Sequence, residues 1–122
     1  MAERKDGRSR TWITARLAPS EKPCALDIAW AAGVYEGEGT CAAPRHSRPS
    51  LSVLIVQKDI WLLEKLKRLF GGSVYYRKSY ALHLSPCSVW ALTGPRARGF
   101  AYTIYTYLSP RRRVQLRKAL GV

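Results

Sequence analysis

No acidic residue follows Glu64 in this chain of 122 residues. All eight Asp and Glu lie before Lys65, while Lys65 to Val122 hold twelve Lys or Arg. Cysteine is scarce: Cys24, Cys41 and Cys87 are widely spaced and form no CxxC pair, which argues against a zinc site. An odd count without a signal peptide points to a reducing, intracellular setting such as cytoplasm, nucleoid or organelle, with the thiols as small core residues. No apolar run approaches the ~18 residues of a membrane span, so no membrane partner is expected. The two histidines, His46 and His83, share no motif, and each reads as a surface or strand residue before a catalytic one. There is no internal repeat.

What the chain does have is positive charge. Its formal net charge is +13 with a pI near 10.2, and 47% of its residues are hydrophobic, enough for one compact domain with a core. A small domain this basic meets a polyanion. Aromatic residues mixed into the charge (Tyr75, Tyr76, Tyr80, Trp90) favour nucleic acid over a merely solvated basic surface. No small-molecule substrate is indicated.

Residues 1–22 are polar, charged and broken by Gly7, Pro19 and Ser20, and read as a flexible basic arm. Residues 23–122 read as one domain. A helix is expected from Ala25 to about Glu36, with Asp27 in its first turn, where a carboxylate is favourable. A strand Thr40–Ala43, a turn Pro44–Ser50 and an apolar, β-branched strand Leu51–Gln57 follow. Asp59 is placed to cap a helix whose apolar positions Leu62, Leu63, Leu66, Leu69 and Phe70 keep the helical period, ended by Gly71 and Gly72. Strands Ser73–Lys78 and one ending at Val89–Thr93 come next. Pro95 opens a helix with Ala97, Phe100, Ala101, Ile104 and Leu108 on one face. Ser109-Pro110 then starts a last, basic helix. The order predicts an α+β fold: an antiparallel sheet with helices on one face.

One stretch resists this reading. AAGVYEGEGT, Ala31 to Thr40, sets two glutamates among glycines at a helix C-terminus, where acids are disfavoured by about 0.3–1 kcal/mol. Upstream, Ala29, Ala32 and Gly33 form a stripe of small residues on which two helix backbones could approach closely. On the residues alone, Glu36 and Glu38 could still be a solvated turn. A basic protein that puts acids near a phosphate backbone needs a divalent cation between them. Mg²⁺ is typically held by one or two carboxylates with phosphate oxygens and waters. One chain has too few acids for a full site; two chains packed along the small-residue stripe would supply a matched pair.

The segment IAWAAGVYEGEGT, Ile28 to Thr40, resembles the motif of the LAGLIDADG homing endonucleases, with Glu in place of Asp at both acidic positions. The resemblance continues through SLSVLIVQKDIWLLEKLKRLFGGSVY, VWALTG, the helix ending at Tyr107-Leu108 and the basic helix, about Ala25 to Val122. It implies the αββαββα fold with a saddle-shaped sheet lying in a DNA major groove. It also implies a site-specific, metal-dependent double-stranded DNA endonuclease. Having a single motif, the chain would act as a homodimer on a near-palindromic site. Glu38 and Gly37 would form the metal site, Glu38 supplying the carboxylate, with Mg²⁺ or Mn²⁺ as cofactor. Glu38, Gln57 and Arg111 would form the catalytic set, Arg111 standing where the family more often has lysine. Ala29, Ala32, Gly33 and Glu36 would lie at the dimer interface, the glutamates meeting their partners over the scissile phosphates. Expected DNA contacts are Arg45, His46, Arg48, Arg77, Lys78 and Tyr80 on the sheet and its turns, and Lys58, Arg112 and Arg113 toward phosphates. The alternatives are a non-cleaving binder of the same fold, either an RNA maturase or a DNA-binding regulator, and a ribosome-associated basic protein.

Overall fold

A computed structural model of the chain describes residues 17–77 and 86–122. Its elements are α1 (Ala25–Glu38), β1 (Gly39–Ala42), β2 (Ser52–Gln57), α2 (Ile60–Phe70), β3 (Ser73–Arg77), β4 (Cys87–Thr93), α3 (Gly94–Ile104), a 3₁₀ turn (Tyr105–Tyr107) and α4 (Pro110–Leu120). The four strands form one antiparallel sheet in the order β1-β2-β4-β3.

Local chemistry sets the helix boundaries. Asp27 accepts the backbone N–H of Cys24 at 2.9 Å, which satisfies a donor ahead of the first turn of α1 and lowers the Asp27 pKa. Asp59 caps α2 by accepting from Trp61 N at 3.1 Å. Gly71 and Gly72 follow α2 at φ 80° and 92°, a backbone conformation that side chains resist. A Cβ on Gly71 would also run into the carbonyl oxygen of Leu17. That carbonyl accepts from Gly72 N at 2.8 Å and from Arg96 Nε at 3.2 Å. Ser20 N and Glu21 N donate to Arg68 O, both at 3.0 Å. Leu17 to Glu21, which the sequence assigns to the arm, are thus hydrogen-bonded to the domain. Residues 1–16 lie outside the described residues.

Register assigns the two faces of the sheet. Paired residues share a face, so Ile55 with Trp90 and Val53 with Leu92 point the same way. All four are buried with Ala31, Ala32 and Tyr35 of α1, Leu63 and Leu66 of α2, and Ala97, Ala101 and Ile104 of α3. The helices therefore cover this face. Trp90 is its anchor: its ring meets Phe100 edge-on at 5.2 Å, and its Nε1 donates to Gly71 O at 2.8 Å. Truncating such a residue costs about 3–5 kcal/mol. On the opposite face the central strands contribute Leu54, Val56, Val89 and Ala91, while the marginal strands β1 and β3 contribute Thr40, Ser73, Tyr75 and Arg77.

Of the thiols expected in the core, Cys41 packs against it. Cys24 is exposed, and Cys41 and Cys87 are half-buried. Burial still pushes the Cys41 thiol up to about 11. Among the described residues, no helix is long and apolar enough to cross a membrane.

Candidate nucleic-acid and metal site

Helix α1 runs through both glutamates, two residues past the expected end. Its last turn holds no base of its own. The base comes from α4. Arg112 Nε donates to the Glu36 carbonyl at 3.1 Å, and its Nη1 donates to the Gly39 carbonyl at 2.9 Å. A guanidinium thus sits on the negative end of the helix and satisfies carbonyls left over where it stops. The same guanidinium lies 5.3 Å over the buried Tyr35 ring. Burial pushes the Tyr35 hydroxyl up to about 12. Gly39 has no room for a side chain, because a Cβ there would penetrate that ring.

The two glutamates have different surroundings. The Glu36 carboxylate accepts from Ser109 N at 2.8 Å and from Ser109 Oγ at 2.7 Å. Ser109 is the N-cap of α4, and its Oγ accepts in turn from Arg112 N at 3.3 Å. Glu36 therefore lies at the positive end of α4 as well as the negative end of α1, and these bonds lower its pKa. The Glu38 side chain is exposed and makes no hydrogen bond or ion pair among the described residues. The pairing of Gly39 with Ile55 sets the end of α1 beside the end of β2, where Gln57 lies two residues further on. Gln57 pairs with Ser88 and its Oε1 accepts from Lys58 N at 3.0 Å.

Three arginines open α4, and they separate clearly. Arg112 holds α1, as above. Arg113 Nη2 donates to Thr106 O at 2.9 Å, and its guanidinium lies 5.8 Å from the Tyr105 ring centre. Both were expected to contact phosphates, but both hold the fold together. The Arg111 side chain is exposed and forms no hydrogen bond among the described residues. Sequence spacing could not make this distinction, because the partners of Arg112 lie far away in sequence at Glu36 and Gly39, and that of Arg113 is a backbone carbonyl, at Thr106.

The expected interface also needs correction. Ala32 is only 2% exposed and belongs to the chain's own core. It is one helical step of about 60° from Ala29 toward the buried Ala31 and Tyr35. Glu36 is engaged within its own chain. The exposed stripe instead runs through Leu26, Ala29, Gly33 and Gly37, with Leu26 81% exposed. A Cβ on Gly33 or Gly37 would meet nothing within 4 Å among the described residues, whose packing does not require glycine at either position.

Among the basic candidates on the sheet and turns, Arg45 and His46 are exposed at a reverse turn closed by Arg45 N to Arg48 O (2.7 Å) and Arg48 N to Arg45 O (3.0 Å). Arg48 folds back, its Nη2 donating to Ala43 O at 3.3 Å. Lys58 and Arg77 are exposed. Lys78, Tyr80 and His83 lie outside the described residues.

The donor set fits a divalent cation in part. One exposed carboxylate, Glu38, is available to it. Among the described residues, no three His, Cys, Asp or Glu form a group that could hold a metal ion. Such a set suits Mg²⁺, which takes one or two carboxylates and leaves its other positions to phosphates and waters.

No protein-family model matches this chain, and no curated protein does. Among solved structures it is similar to the homing endonuclease I-CvuI, crystallised in complex with the I-CreI target in the presence of Mg, with the DNA not cleaved. The TM-score is 0.61 at 20% identity, over 79% of this chain. The match spans 64% of the I-CvuI chain, a little under two thirds of its length. The chain has a homing-endonuclease-like α+β fold, a four-stranded antiparallel sheet backed by helices.

Proposed function

We propose that this chain is a divalent-metal-dependent DNA endonuclease that works as a homodimer on a near-palindromic duplex. The observation that carries this reading is the contrast between the two glutamates. Glu36 is hydrogen-bonded to α4, while the Glu38 side chain, two residues on, has no partner among the described residues of a strongly basic chain. An exposed, unpaired carboxylate is available to a cation.

The exposed stripe of α1 supports the dimer. Glycine inside a helix costs about 0.5–1 kcal/mol relative to alanine. Gly33 and Gly37 bear that cost with no neighbour of their own to accommodate. A second copy crossing along Ala29, Gly33 and Gly37 would come into backbone contact and bring two Glu38 side chains to one place. A two-fold dimer reads a two-fold site. Glu38 would hold Mg²⁺ or Mn²⁺ together with phosphate oxygens. The bound metal supplies a water of lowered pKa and stabilises the leaving oxygen. Gln57 would order water near the scissile phosphate. Arg111 would stabilise phosphate charge, since a guanidinium does not give up its proton. Arg45, His46 and Arg77 would contact the duplex from the sheet margin. Leu54, Val56 and Ala91 would offer apolar contact, of the kind that thymine methyls accept.

A second reading, a non-cleaving nucleic-acid binder of the same fold, is favoured by the uncharged centre of that sheet face. The experiment that separates the two is cleavage-site selection. The protein is incubated with a randomised duplex library and Mg²⁺ or Mn²⁺, and the new ends are sequenced. Discrete near-palindromic ends support the endonuclease. Retained duplex without new ends supports the binder.

A further inference from the structure

The positive charge of the second half does not lie mainly on the sheet. Of the twelve Lys and Arg from Lys65 onward, two are on α3 and five on α4, seven in all. Helix α3 buries Ala97, Phe100, Ala101 and Ile104 and turns Arg98 and Tyr102 outward, away from that core. Tyr102 is 54% exposed, which leaves much of its ring in contact with solvent. Arg98 Nη2 lies 3.4 Å from its hydroxyl, and the guanidinium 5.9 Å from its ring centre.

Between this face and the end of α4 is a cleft of about 320 Å³. Its walls are Tyr102, Tyr105 and Thr106, with the buried Leu120, the exposed Arg117 and the exposed Val122 completing the lining. Neither α3 nor α4 carries an acid. Glu36, the acid that contacts α4, does so at Ser109, about two turns from Arg117. Two tyrosine rings beside arginines, on helices without acidic side chains, match a ligand that offers planar π-faces and phosphates together. A duplex keeps its bases stacked and paired, so it has no free face to offer the tyrosines. A single strand does.

We infer that the α3–α4 face is a second nucleic-acid site, which takes single-stranded RNA or DNA with an unstacked base against Tyr102 and Tyr105 and phosphates on Arg98 and Arg117. It lies across the helix layer from the sheet face assigned to duplex DNA. The inference does not depend on cleavage.

The test is fluorescence anisotropy of the full-length protein with a short labelled oligouridine and the matching oligothymidine. Tyr102→Ala and Arg117→Ala should each weaken binding about tenfold, the scale of one lost base stack. Tyr102→Phe should bind like the wild type, because it keeps the ring. Arg77→Ala should also bind like the wild type, and excess duplex should not displace the oligonucleotide. Thermal melts check that each variant is folded; Arg98→Ala replaces any variant that is not. The inference is overturned if the wild type does not bind either oligonucleotide, or if the alanine variants bind as the wild type does. It is also overturned if Tyr102→Phe loses as much as Tyr102→Ala, or if duplex displaces the strand. Displacement by polyglutamate at equal charge concentration would instead make this face a site for acidic protein.

Discussion

Glu36 and Ser109 join the end of α1 to the start of α4: one carboxylate accepts both the backbone N–H and the hydroxyl of one serine, at 2.8 and 2.7 Å. This contact accounts for half of an odd sequence feature. An acid at the C-terminus of its own helix is unfavourable, but the same acid at the N-terminus of another is favourable. Arg112 completes the joint from the opposite direction by donating to the carbonyls of Glu36 and Gly39.

Ser109→Ala removes the cap of α4 and one of the two bonds to Glu36. It should destabilise the chain by about 1–2 kcal/mol, read as a lower urea midpoint at unchanged slope. Ser109→Thr, which keeps the hydroxyl, should recover most of the loss.

The same joint should titrate. Bonding to Ser109 lowers the Glu36 pKa from its ordinary value of 4.5, so the folded state binds that proton less readily than the unfolded one. Its stabilisation is complete above about that ordinary value and is lost as pH falls through the depressed one. Glu36→Gln should therefore melt below the wild type at neutral pH and converge with it in acid. Melting curves taken across that range check this.

Gly33→Leu separates fold from assembly. The added side chain meets nothing within its own chain, so the monomer should fold and melt much as before. A dimer packed along α1 should dissociate. Sedimentation velocity with and without duplex reads the outcome; an unchanged sedimentation coefficient would place the dimer contact elsewhere.

Arg111 and Arg112 should give opposite phenotypes. Arg112→Ala removes two charge-assisted bonds to half-buried carbonyls, each worth about 1.5–3 kcal/mol, and should show first as lost stability. Arg111→Ala should change stability by less than about 0.5 kcal/mol, as exposed substitutions do. If Arg111 stabilises phosphate charge, the same variant should cut cleavage by about 10²-fold. Denaturation and single-turnover cleavage of both variants separate the roles.

The sequence was legible where a local signal sufficed. Asp59 before an apolar period, Gly71-Gly72 after it, and Ser109-Pro110 before the basic run mark boundaries that the structure shares. The helix period also placed Leu63, Leu66 and Leu69 inward. What stayed hidden depends on partners distant in sequence. A stripe of Ala29, Ala32 and Gly33 looks continuous at helical spacing. Only the positions of the sheet and α3 decide that Ala32 turns inward while Leu26 and Gly37 join the exposed side. Three adjacent arginines look alike until Glu36, Gly39 and Thr106 are seen to occupy two of them. Which strand residues share the open face of the sheet likewise emerges only from the strand register.

The most direct test is cleavage of a selected duplex by wild type and Glu38→Gln, with Mg²⁺ supplied or chelated. The account predicts metal-dependent cuts by the wild type, lost by more than about 10²-fold in Glu38→Gln, while duplex affinity and melting temperature stay near those of the wild type. Equal cleavage by the two proteins, or cleavage that persists under chelation, would contradict the role assigned to Glu38 and with it the proposed endonuclease site.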